Sequence, residues 1–166
     1  SGRLWVTGMA GLATFDGTSW RRFTKADGLL ETHVEAIAVD KAGEAWVSYW
    51  NLHGISRFKF SDKGLGTVTH IDTPAALVSD NIYSLNFDAH GALWLGTAQG
   101  AKRWKDGRLD QFARGEGLPG DDSSANAFWA DKNGDVWFGM SSGLAHFEAA
   151  AEPPPAAAPH ARVLRV

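Results

Sequence analysis

Few residues in this chain are of a type and spacing that could do chemistry. Tyr49, Trp50, Asn51 and His53 stand almost side by side. Aromatic planes beside amide and imidazole groups suit a sugar ring, which offers C–H faces and hydroxyls together. His33, Asp80, Asn81, Asp121 and Asp122 could add hydrogen-bonding groups to the same site if the fold gathers them. The six histidines (His33, His53, His70, His90, His146 and His160) include no pair at the close spacing of a metal-binding helix, and the chain has no cysteine. Asp131-Lys132-Asn133-Gly134-Asp135 could be half of a calcium loop, but an EF-hand loop needs a glutamate at its twelfth position. The same register elsewhere reads Asp88-Ala89-His90-Gly91-Ala92, which makes it a hairpin turn. No nucleophile elbow is present for a Ser-His-Asp arrangement. The expectation is a site that binds rather than catalyses, with no cofactor and no metal.

The elements that must hold these residues repeat along the chain. Asp-x-x-Gly-x-x-Trp occurs as Asp40, Gly43 and Trp46, as Asp88, Gly91 and Trp94, and as Asp131, Gly134 and Trp137; a shortened copy opens the chain at Gly2 and Trp5. A second motif, glycine then an aromatic four residues on, follows each time: Gly11 to Phe15, Gly54 to Phe58, Gly100 to Trp104 and Gly143 to Phe147. Both keep a period of about 44 residues, the length of one propeller blade. Within a unit, Val34–Val39 alternates as a strand, residues 40–43 turn, Ala45–Ser48 is a second strand, Ile55–Phe60 a third and Thr67–Ile71 a fourth.

The predicted fold is therefore all-β, a propeller arc of about four four-stranded antiparallel blades. A β-sandwich has no reason to keep one motif at a fixed long period. The blades fall at 1–26, 33–72, 81–114 and 124–148, with 14 strands in all. Both end blades are incomplete: the first lacks its first strand, the last its fourth. An arc leaves blade faces and sheet edges open, which favours self-association, for instance a dimer in which two arcs complete an eight-bladed ring. Residues 149–160, rich in proline and alanine, read as a linker, and 161–166 as the start of a following β domain or an added edge strand.

In a propeller the loops between second and third strands emerge beside those between fourth and first strands, at the face that commonly holds a ligand. Tyr49-Trp50 lies in the first kind of loop, aligned with the smaller Gly8-Met9, Ala98-Gln99 and Ser141-Ser142 of the other blades. His33, Asp80, Asn81, Asp121 and Asp122 lie in the second kind. Trp5, Trp46, Trp94 and Trp137 share one register and are assigned to packing between blades; Trp20 and Trp129, outside that register, are assigned to packing.

Composition sets outer limits. Hydrophobic residues at 44% and charged residues at 21% are ordinary for a globular protein, and a net charge of −3 supplies no field for nucleic acid. No apolar stretch reaches the roughly 18–20 residues that span a bilayer. The opening, Ser1-Gly2-Arg3-Leu4-Trp5, is not a signal peptide, and the chain reads as a piece of a longer protein.

Asp88 to Thr97 (Asp-x-x-Gly-x-Leu-Trp-Leu-Gly-Thr) resembles the two-component regulator propeller repeat, as do Gly11-Leu12-Ala13-Thr14-Phe15-Asp16-Gly17, Asp27-Gly28-Leu29 and Gly117-Leu118-Pro119. The order of phrases is kept to about residue 148. Trp46 departs from it, followed by Val47-Ser48-Tyr49, and so does Trp137, followed by Phe138-Gly139-Met140; the second blade has Thr73-Pro74-Ala75-Ala76-Leu77 in place of Asp-Gly-Leu-Pro. The resemblance implies the extracytoplasmic, periplasmic sensor part of a bacterial membrane-bound receptor, with a small molecule or oligosaccharide as ligand. It also implies a β-sandwich domain, named for three tyrosines, beyond the linker. The alternatives are a propeller enzyme of the lyase type and a protein-binding scaffold.

Overall fold

The computed structural model describes residues 2–50, 54–61, 64–71 and 81–149. These form four antiparallel sheets in sequence order, with three, four, four and three strands. Blade 1 holds β1 (Leu4–Gly8), β2 (Gly11–Phe15) and β3 (Trp20–Phe23); blade 2 holds β4 (Val34–Val39), β5 (Ala45–Tyr49), β6 (Ile55–Ser61) and β7 (Gly64–Ile71). Blade 3 holds β8 (Ile82–Phe87), β9 (Leu93–Thr97), β10 (Gly100–Lys105) and β11 (Arg108–Phe112), and blade 4 holds β12 (Ser123–Ala130), β13 (Val136–Met140) and β14 (Gly143–Phe147). Each sheet is a simple meander, β4-β5-β6-β7 in blade 2. The chain is a four-bladed propeller arc; among the described residues the two middle blades hold four strands each and the first and last hold three.

Burial follows blade position. All five residues of β5 and of β9 are buried, because the middle blades are covered on both faces. In β13 burial alternates strictly, and β1 has no buried residue, because the end blades are covered on one face. Apolar side chains reach about 10 Å between stacked sheets, so each junction makes its own core. Leu12, Phe23, Val34, Val47 and Phe58 fill the first. Trp46, Ile55, Leu85 and Leu95 fill the second, and Trp94, Val136, Phe138 and Ala145 the third.

The repeat motif builds these junctions through one carboxylate. Asp88 Oδ1 accepts the amide hydrogens of His90 (2.8 Å) and Ala92 (2.9 Å), closing the turn between first and second strands. Its Oδ2 accepts Trp94 Nε1–H at 2.9 Å, which fixes the indole over the next blade. Asp40 makes the same bonds to Ala42, Glu44 and Trp46. Trp5 packs on Phe60 of blade 2 (centroids 4.8 Å apart), Trp46 on Trp104 of blade 3 (5.9 Å), and Trp94 on Phe147 of blade 4 (4.9 Å). Arg57 lies over Trp46 and Arg103 over Trp94, on their own blades. Trp137, in the last blade, stacks instead on His146 beside it, 3.7 Å away.

Trp20 and Trp129, assigned to packing from the sequence, are 58% and 67% exposed. Strand register explains both. Trp20 pairs with Phe15 and Trp129 with Trp137, which places them on the two outermost sheet faces of the arc. Leu4 and Val6 share the first of these faces and Leu144 the second, all of them exposed.

Asp27-Gly28-Leu29 and Glu116-Gly117-Leu118 close matched turns. Lys25–Asp27 and Arg114–Glu116 are each a single 3-10 turn ended by a glycine in the left-handed region, Gly28 (φ 101°) and Gly117 (φ 100°). The linker 149–160, apart from its first residue, and segment 161–166 lie outside the described residues.

Candidate functional site

The two kinds of loop expected to share a face are tied together in blades 2, 3 and 4. Trp50 N–H donates to the His33 carbonyl (3.2 Å), Ala98 N–H to Asn81 (3.3 Å) and Ser141 N–H to Asp122 (2.9 Å). One backbone bond per blade thus joins the turn after the second strand to the residue before the first. His33, Asn81 and Asp122 hold equivalent places on successive blades.

In blade 2 this tie carries two rings. The His33 imidazole lies parallel to the Trp50 indole, centroids 5.2 Å apart and planes 8° apart. Trp50 is 46% exposed. His33 Nε2 stands 3.6 Å from a Glu35 carboxylate oxygen, which brings an acidic group to the edge of the pair. The result is a half-open aromatic platform with a carboxylate beside it.

Tyr49 does not belong to that platform. It is 2% exposed, and its hydroxyl faces inward. The phenol accepts Leu30 N–H (3.2 Å) and donates to Ser56 Oγ (2.8 Å), which in turn meets His70 Nδ1 at 2.8 Å. Burial pushes the Tyr49 pKa above the usual phenol value, against the opposing pull of its Ser56 and Leu30 hydrogen bonds. Its alignment from sequence with Ala98 and Ser141 was one position out of step, while that with Gly8 was in step. Strand pairing sets Tyr49 opposite Val34, as Thr97 is set opposite Ile82 and Met140 opposite Ser123. The counterparts of Trp50 are therefore Ala98, Ser141 and Met9. In blade 3 the Thr97 hydroxyl, at the place of Tyr49, donates to Gly100 O and accepts Gln99 N–H. A methyl on Gly100 would stand 2.1 Å from the Phe112 carbonyl at φ 102°, so this turn demands glycine.

Asp121 is turned to its own loop, holding Arg114 through the backbone N–H and the guanidinium at 3.2 Å each. Asp122 is exposed and Asn81 half-buried. Asn51, His53 and Asp80 lie outside the described residues. Two further residues near this face had no role in the sequence reading. Glu35 is the second residue of β4, two beyond His33, and its alternation with buried Val34 and Ala36 could have marked it. Asn126 sits in a bulge of β12, where register slips between Ser123 and Phe128, and it is exposed at φ 54°. Asparagine tolerates that conformation better than most residues, but nothing in the sequence marks the bulge. Lys102, 1% exposed at the position that Ser56 holds in blade 2, was also missed.

These features define a class: a β-propeller with an open aromatic pair on its loop face. Within that class, residues 76–99 match the family model described as two component regulator propeller. The match contains the phrase from Asp88 to Thr97. No curated protein matches the chain. Among solved structures the chain is similar to the extracellular domain described as that of a hybrid two-component system of B. thetaiotaomicron, at 18% identity and a TM-score of 0.57, over 89% of this chain and 26% of that one. It is also similar to virginiamycin B lyase from Staphylococcus aureus (15% identity, TM-score 0.58, 93% and 53% of the two chains). A gluconolactonase from Xanthomonas campestris gives 18% identity and a TM-score of 0.58, over 81% and 42%. At these identities the likeness shows the propeller fold. The chain spans about a quarter of the length of the extracellular domain it matches.

Proposed function

We propose that this chain is part of an extracytoplasmic sensor propeller of a bacterial signal-transduction receptor, that it binds rather than catalyses, and that its ligand is an oligosaccharide met on the loop face. The carrying observation is the Trp50–His33 platform, a half-exposed indole at a position that holds no other aromatic ring in the array. A pyranose ring lays its C–H face on such a surface, and the Glu35 carboxylate beside it accepts a hydroxyl proton. The regulator propeller repeat at 76–99 supports the sensor reading. Titration with a panel of oligosaccharides, followed by tryptophan emission, tests it. One or more glycans should give a saturable change, and Trp50→Ala should abolish the change without lowering the melting temperature. If no glycan responds, or if the response survives in Trp50→Ala, the loop-face reading is wrong.

The partner side of the proposal is a second copy. Blade 1 presents Leu4, Val6 and Trp20 outward, and blade 4 presents Trp129, Trp137 and Leu144. Between blades 3 and 4, buried rings fill the equivalent space. The free chain should sediment above its monomer mass, and Trp129→Asp should return it to monomer. A native chain that stays monomeric at high micromolar concentration excludes this partner.

A further inference from the structure

The opposite, turn face of the arc carries a groove of about 350 Å³ between blades 2 and 3. Trp46, Phe87, Leu93 and Trp104 line it, with Lys41 and Lys105 also at its wall. Its origin lies in one position of the repeat. The third residue of the Asp-x-x-Gly turn is Ala42 in blade 2, His90 in blade 3 and Asn133 in blade 4. His90 reaches across to blade 4, where its Nε2 lies 3.1 Å from the Asn133 carbonyl. It fills the space above Gly134 so closely that a methyl there would stand 2.3 Å from Nε2 and 2.4 Å from Cδ2. At the junction before it, Ala42 offers only a methyl group. A methyl built on Gly91, the counterpart of Gly134, would meet no atom within 4 Å. Lys41 crosses the same junction, its Nζ donating to the Ala89 carbonyl, while Trp46 is held by Asp40 and meets Phe87 and Trp104 edge-on at 5.5 and 5.9 Å. The volume that an imidazole occupies between blades 3 and 4 is open between blades 2 and 3.

We propose that this groove binds a small nitrogen heteroaromatic ring, seated beside Gly91 as the imidazole of His90 is seated beside Gly134. The ring N–H faces the backbone carbonyl of His90, the counterpart of the Asn133 carbonyl. The indole edges of Trp46 and Trp104 supply the apolar wall. This site is separate from the loop face and stands or falls independently of it.

Imidazole is the probe, used at a pH above its own pKa so that it enters neutral. Titrated into 15N-labelled protein, it should move the indole N–H signals of Trp46 and Trp104 and the amides of Ala42 and Gly91. The shifts should saturate with a Kd on the order of millimolar, as a five-atom ring allows. Ala42→His should close the groove, remove these shifts and raise the melting temperature. His90→Ala should open a second groove and add a second saturable set at Gly134 and Trp94. The proposal fails if the native protein shows no saturable shift at the groove. It fails equally if folded Ala42→His keeps the shifts, or if folded His90→Ala gains no second set.

Discussion

Replacing Trp94 by alanine is expected to destabilise the protein by about 4 kcal/mol, while Trp137→Ala costs about 1 kcal/mol, although both occupy the same place in the repeat. Trp94 is 1% exposed. Its indole touches Phe112, Phe138 and Phe147, with centroids 5.7, 5.7 and 4.9 Å away, and the Arg103 guanidinium lies 5.6 Å from it. Truncation would leave a cavity walled by three rings that cannot all collapse into it. Trp137 has its His146 stack and one open side, so its loss leaves no enclosed cavity. Urea denaturation of the two variants measures the difference. Equal losses would mean that the rings between blades 3 and 4 do not govern stability.

The second large effect belongs to Asp88. Asp88→Ala strips the acceptor from three donors at once, the amides of His90 and Ala92 and the indole of Trp94. The carboxylate is 8% exposed, so water cannot readily replace it. Hydrogen bonds to a charged acceptor contribute about 1.5–3 kcal/mol each but share their loss when removed together, and a total near 3 kcal/mol is expected. Asp131→Ala is the control. That carboxylate accepts Asn133 and Asp135 amides in a more open turn, and about 1 kcal/mol should go with it. Because Asp88 and Trp94 act on one another, the double variant should lose less than the two single losses combined. Strict additivity in thermal or urea unfolding would show that the carboxylate does not position the indole.

The blade count and the strand order were legible because two motifs repeat with one period, and a hairpin meander is the short-range solution for such a repeat. The side of the sheet on which a residue falls was less legible. Tyr49 was read as a loop residue because the second strand was ended at Ser48, and strand pairing shows that it takes the buried place of Thr97. Topology sent His33 and Trp50 to one face, where a backbone bond ties them, but their stacking depends on side-chain geometry that spacing does not encode. The groove was invisible for another reason. It is the absence of a side chain at Ala42, and its meaning emerges only when the same position in the next blade is seen filled by His90.

The tryptophan register gives the array a direction. Trp5, Trp46 and Trp94 each pack on the blade that follows, and Phe58, Trp104 and Phe147 each pack on the blade before. In statistical terms the blades form a one-dimensional lattice with nearest-neighbour couplings. Each coupling joins unlike partners, an indole on one side and a third-strand ring on the other. Within the described residues the two middle blades carry two such couplings each and the outer two carry one, so in the isolated chain opening proceeds inward from the outer blades, which are its boundary. Blade 2 and blade 3, which hold both the aromatic platform and the groove, are the sites farthest from that boundary.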